Sequence, residues 1–227
     1  MKNFLIIAVL LLATGVLSAQ EGAKKKRAPH PSLVEVEDVA GLPRVLLIGD
    51  SISMGYTVPV RKLLEGVANV HRVPANGGPT SRGLDNIDKW LGDGKWDVIH
   101  FNWGIHDVKV MPGGELQVEP GPYEENLRKL VAKLQETGAE LIWATTTPIP
   151  PNLKGKALER RFGSEVEYNK IARGVMRENG IAINDLHGYV SPRFTELQKP
   201  NDLHYSTEGS EFLAVRVAAE IEKALRK

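Results

Sequence analysis

The sequence predicts an α/β protein, one three-layer α/β/α domain on a five-stranded parallel sheet. Three observations carry this. From Arg44 onward short apolar runs alternate with longer segments of helical period, which is the pattern of βα units. The first, third and fourth runs are rich in Val, Ile, Leu or Trp without strict alternation, as expected of strands covered by helices on both faces. Polar and Gly-containing segments follow the runs, at the carboxyl ends where open α/β sheets place their ligand sites.

The first expected strand is 45–48 (Val45, Leu46, Leu47, Ile48), and the second is 70–73 (Val70, His71, Arg72, Val73). The third lies within 97–103, the fourth is 140–144 and the fifth 181–183. Helices are expected over 58–64 and 84–91, ended by Gly66 and Gly92, since glycine at the stop accepts a left-handed backbone. Over 123–136, Leu127, Leu130, Val131 and Leu134 recur at the spacing of one buried helix face. A helix over 164–179 stops at Gly180, and one over 212–225 aligns Leu213, Val217, Ala218 and Ile221. No internal repeat interrupts the segment from Ser32, so 32–227 reads as one domain.

Residues 1–19 read as a secretory signal peptide: Lys2 supplies the positive start, 4–12 the apolar run, and Leu17-Ser18-Ala19 a small-residue exit. With no Cys at the exit, the expected product is exported, periplasmic or extracellular, without a lipid anchor or stable membrane insertion. Residues 20–31 read as a basic linker, with Lys24, Lys25, Lys26 and Arg27 beside Pro29 and Pro31.

Composition narrows the function. With 42% hydrophobic and 25% charged residues, the chain fits a globular domain large enough to bury its own core. The absence of Cys excludes thiolate metal sites, iron–sulfur clusters and a cysteine nucleophile. Lys+Arg 29 against Asp+Glu 28 argues against nucleic acid as a partner. Setting aside Lys2, the four linker cations and Glu21 leaves 24 positive and 27 negative side chains, so the domain is mildly acidic. No phosphate-binding glycine fingerprint and no His/Asp/Glu set at metal-ligand spacing is visible, so neither cofactor nor metal is expected.

Gly49-Asp50-Ser51 stands where the first strand turns into a helix. A serine hydroxyl there is either a cap or a nucleophile, and a nucleophile needs a base. Of six histidines, His30 lies in the linker, His71 and His100 lie in strands, and His187 follows the fifth strand. His204, with Asn201 and Asp202 just before it, is the best base, because a neighbouring acid orients the imidazole and steadies its protonated form. Oxyanion donors are sought in Asn76-Gly77-Gly78, where Gly78 offers a backbone N–H, and in Gly104-Ile105-His106-Asp107, where His106 offers its ring and Asp107 could order it. Asn102 is a further candidate donor.

These four blocks, Gly49 to Ser53, Asn76 to Gly78, Gly104 to Asp107 and Asn201 to His204, together resemble the ordered motifs of the SGNH (GDSL) hydrolases. The resemblance spans residues 44–227 and implies a flavodoxin-like sandwich and serine esterase or lipase chemistry. By position it implies Ser51 as nucleophile and oxyanion donor, Gly78 as second donor and His204 as base. Two blocks depart from the family pattern. His106 stands where the family has an Asn donor, and Asn201 stands where it has the Asp three residues before the His. Asp202 is then the expected orienter if a different local turn lets it reach; otherwise Asn201 or a backbone carbonyl takes that role.

The chain is most similar to secreted bacterial carbohydrate O-acetylesterases. This implies an exported esterase acting on a small ester or an acylated carbohydrate. Tyr56, Trp103 and Trp143 fall near strand ends and read either as sugar-stacking rings or as core, with core the better reading for Trp143 inside its strand. A lysophospholipase or thioesterase on the same residues, and a catalytically impaired glycan-binding protein, are the other readings.

Overall fold

The computed structural model describes residues 29–155 and 159–227. The expected signal peptide and most of the 20–31 linker lie outside the described residues. In chain order the elements are β1 (Arg44–Ile48), α1 (Ser51–Leu63), β2 (Asn69–Arg72), α2 (Thr80–Leu91), β3 (Val98–Phe101) and α3 (Pro120–Gln135). Then come β4 (Glu140–Ala144), α4 (Glu165–Glu178), β5 (Ala182–Asn184), the short α5 (Leu186–Val190) and α6 (Phe194–Leu197), and α7 (Thr207–Leu225).

The five strands pair in the order β2-β1-β3-β4-β5, and every pairing is parallel, with Val45 opposite Val70 on one side and Val98 on the other. The order reverses direction at β1, so β1 and β3 flank the crevice where such sheets bind ligands. Both faces are covered. Leu46, Ile48, Ile99, Phe101 and Trp143 pack under α2, α3 and α4. Their alternate neighbours Val45, Leu47, Val98 and Ile142 pack under α1 and α7. Each such aliphatic side chain contributes roughly 1.5–3 kcal/mol by leaving water, which is why the strands are apolar at successive positions.

Four helices begin earlier than their periodicity suggests, α3 among them at Pro120 instead of 123. α1 starts at Ser51 instead of 58, because Asp50 Oδ1 accepts the Ile52 N–H at 2.7 Å and caps it. Its first turns carry Ser, Gly and Thr, poor helix formers, and are stabilised by burying Ser53, Tyr56 and Thr57. α2 starts at Thr80 instead of 84, and α7 at Thr207 instead of 212, where Ser206 Oγ accepts the Gly209 N–H at 3.0 Å. The short helices α5 and α6 had no periodic signal. Among the described residues no helix is long and apolar enough to cross a membrane.

Candidate active site

The site lies at the carboxyl ends of β1 and β3. Ser51 opens α1, so its N–H has no carbonyl one turn earlier in the helix to donate to, and the positive end of the helix dipole falls at its hydroxyl. Beneath this turn lies the buried guanidinium of Arg72, at the end of β2. It donates to Gly49 O at 2.6 Å, Asp50 O at 3.1 Å, Thr57 Oγ1 at 3.4 Å and Ser53 Oγ. Burial lowers its pKa to about 10, so it stays cationic at neutral pH. Sequence reasoning missed Arg72; the one available signal was a permanent cation inside an expected strand.

His204 reaches the site from the loop ahead of α7. Its Nε2 is 2.8 Å from Ser51 Oγ, and its Nδ1 is 2.8 Å from Asp202 Oδ1. That carboxylate oxygen also accepts the N–H groups of Leu203 at 2.6 Å and His204 at 3.3 Å. Burial works against the Asp202 charge, but these bonds and the His204 imidazole outweigh it and hold the carboxyl below its usual range. The required local turn is supplied by Asn201, which has φ 57°. Asparagine tolerates that left-handed conformation better than other non-glycine residues. Asn201 therefore shapes the loop, its carbonyl accepting the Lys154 N–H at 3.0 Å, while Asp202 makes the contact with the imidazole.

The expected oxyanion donors are placed unequally. His106 lines the same cavity as Ser51 and His204, and its ring makes no hydrogen bond among the described residues. Burial, with the nearby charges of Arg160 and Lys109, outweighs the opposing pull of Asp50 and lowers its pKa, so the ring is neutral and donates through one N–H.

Asp107 does not order His106, contrary to the sequence reading. Its Oδ1 instead accepts the Thr80 N–H at 2.8 Å and the Thr80 hydroxyl at 2.6 Å, tying the start of α2 to the loop after β3. Gly78 also departs from expectation. It is buried at φ 63°, does not line the cavity, and donates its N–H to Asn76 Oδ1 at 2.9 Å. Asn102 is ruled out as a free donor, because its Nδ2 is used on Ala144 O at 2.8 Å and Thr146 Oγ1 at 3.2 Å, joining the ends of β3 and β4. Gly77 is needed for close approach: a Cβ there would sit 2.9 Å from Gly49 O.

The remaining candidates leave the site. Tyr56, Trp103 and Trp143 are core side chains and present no ring to a sugar, because both faces of the sheet are covered. His71 contacts Asp38 at 2.6 Å, and His187 contacts Glu165 at 3.3 Å. His100 is buried beside Asn184, and its burial lowers the pKa to about 4.

Ser51 and His204 stand between two openings. One is a cavity of about 490 Å³ lined by Ile105, His106, Lys154, Arg160, Asp202 and Leu203. The other, also about 490 Å³, is lined by His30, Met54, Val58, Lys199, Tyr205 and Ser210, among others. A hydroxyl at a helix start, hydrogen-bonded to an imidazole that an acid orients, has the geometry for covalent acyl transfer.

Comparison with known proteins agrees with this chemistry. A model of the GDSL-like Lipase/Acylhydrolase family matches residues 47–212. No curated protein matches the chain. Among solved structures, a lipase/acylhydrolase from Enterococcus faecalis superposes with TM-score 0.69 at 21% identity, covering 80% of this chain and 96% of that one. The acetyl xylan esterase AlAXEase gives TM-score 0.66 at 17% identity, covering 78% and 99%. Axe2, an acetylxylan esterase from Geobacillus stearothermophilus, gives 0.64 at 20% identity, covering 79% and 94%.

Proposed function

The chain belongs to the GDSL-like lipase/acylhydrolase family of ester-cleaving serine hydrolases, and we propose that it is an exported esterase removing short acyl groups, chiefly O-acetyl, from a carbohydrate. The carrying observation is the relay from Ser51 Oγ through His204 to Asp202, with both steps at 2.8 Å, between two open clefts. In this reading His204 takes the Ser51 proton as the hydroxyl attacks the ester carbonyl. The developing oxyanion rests on the Ser51 N–H and the His106 ring, and Gly78 joins them only by releasing Asn76. The alcohol departs with the proton from His204, and water then cleaves the acyl-enzyme by the same route.

Clefts on both sides of the nucleophile suit a substrate longer than one sugar ring. The short-acyl choice draws support from the acetylxylan esterases among the similar folds. Export draws support from the apolar run over 4–12 and the small residues before Gln20. A second reading, a longer-chain acyl substrate, is favoured by the exposed Val58, Leu63 and Val215, which continue the second cleft along α1 and α7.

The test uses nitrophenyl acetate and nitrophenyl octanoate with the protein from Gln20 onward, beside Ser51→Ala. Acetate turnover is expected to exceed octanoate turnover and to fall by at least about 10⁴-fold in the variant. Octanoate preference would favour the lipid reading, and undiminished turnover in Ser51→Ala would remove the nucleophile assignment.

A further inference from the structure

Resting on the esterase reading of the Ser51 site, we propose that the adjoining cavity receives an anionic group of the substrate, in a glycan the carboxylate of a uronate unit beside the scissile ester, through Arg160 and Lys154. Both residues line the cavity with Ser51, His106 and His204. Arg160 Nε donates to Ile105 O at 2.6 Å, which fixes the guanidinium beside the loop carrying His106. That bond uses one of its three nitrogens; the terminal two have no hydrogen-bond or ion-pair partner among the described residues. Lys154 is fixed through its backbone N–H on Asn201 O, and its ammonium has no ion pair among the described residues either.

The carboxylates nearby are committed elsewhere. Glu159 pairs with Lys109 at 2.9 Å, Asp202 is used on His204, and Asp50 caps α1 through the Ile52 N–H. Asp50 and Glu159 act on Arg160 through space, yet burial outweighs them and lowers its pKa, so the guanidinium lacks full compensation for its lost water. His106 is neutral and adds no negative charge. The cavity therefore presents two positive side chains against one lining carboxylate, Asp202, whose Oδ1 is held by the His204 ring and the Leu203 and His204 N–H groups. At about 490 Å³ it is large enough for a sugar ring. A strut on Ile105 would need only one donor. A planar fork with two open donors matches a carboxylate edge-on.

The test separates this inference from the esterase reading. Binding of an oligogalacturonate, and of the same oligomer with its carboxylates methyl-esterified, is measured by calorimetry on the Ser51→Ala protein. The free acid is expected to bind at least about tenfold more tightly, as a charge-assisted bidentate pair would give. Adding Arg160→Gln should remove about tenfold of that preference. Adding Lys154→Gln, which disturbs no buried contact, should remove a few-fold, and raised salt should erode it. Equal binding of the two oligomers, binding of neither, or a preference that survives both variants overturns the inference. Nitrophenyl acetate turnover by the wild-type protein is followed in parallel; its absence sinks the esterase reading alone.

Discussion

At the scale of single residues, the site turns on how an aspartate two positions before a histidine reaches its ring. A left-handed Asn201 bends the loop so that Asp202 Oδ1 meets both His204 Nδ1 and the backbone N–H groups of Leu203 and His204. Asp202→Asn keeps the shape and removes the charge that selects the tautomer, so kcat on nitrophenyl acetate should fall by about 10³–10⁴. Asn201→Gly adopts the same φ without strain and should retain kcat within a few-fold. Asn201→Val, at a cost of about 1–2 kcal/mol for a left-handed β-branched residue, should lose far more. A large loss in Asn201→Gly would mean that the Asn201 side chain, not its backbone, orients His204.

At the scale of elements, Arg72 joins β2 to the β1–α1 turn. Its donors hold the carbonyls of Gly49 and Asp50, the two residues ahead of Ser51, so the turn that aims the hydroxyl is braced from below. Arg72 is a positioning residue, since it touches no reacting atom. Arg72→Met fills the volume but removes the buried guanidinium from both carbonyls, leaving Gly49 O the Gly77 N–H and Asp50 O the Met54 N–H, and kcat should fall by roughly 10²-fold, with KM changing much less. Thermal melting reports whether the fold survives; equal kcat in a folded variant would show that the turn is rigid without the brace. The early start of α1 belongs to this scale too. No helical period announces 51–57, because that stretch is stabilised by contacts with the sheet and α7 and not by its own propensity.

At the scale of the whole molecule, Asp107 couples the helix layer to the sheet edge through Thr80. Burial raises its pKa to about 7, against an ordinary value of 3.8, although the Thr80 bonds pull the other way. An acid whose pKa is raised in the fold binds more protons when folded than when unfolded between those values. Its contribution to stability is therefore complete below about pH 4 and is lost as pH rises to about 7. Asp107→Asn keeps an acceptor for Thr80 and cannot ionise. From pH 5 to pH 8 the wild-type protein should lose stability relative to the variant by more than about 1 kcal/mol, read by denaturant unfolding. Parallel curves for the two proteins would show that Asp107 ionises as freely in the fold as out of it.

The α/β class, the five strands and the blocks around Ser51, His106 and His204 were legible in the linear sequence. Burial on both sheet faces writes itself into continuous apolar runs, and the reactive segments are short and lie just after them. What the sequence could not convey was how each side chain spends its hydrogen bonds. Asn102 and Gly78 read as free donors until their partners, Ala144 O and Asn76 Oδ1, were placed beside them. Tyr56 and Trp103 read as sugar platforms or core alike until the packing of both sheet faces buried them, whereas Trp143, inside a strand, already read better as core. Arg160 had no local signal and Arg72 only that of a cation inside an expected strand, since their partners, the carbonyls of Ile105 and Gly49, lie 55 and 23 residues away along the chain. Periodicity and short motifs are local properties that the order of residues determines, whereas the donors left open to a substrate depend on which distant acceptors the tertiary fold brings within reach.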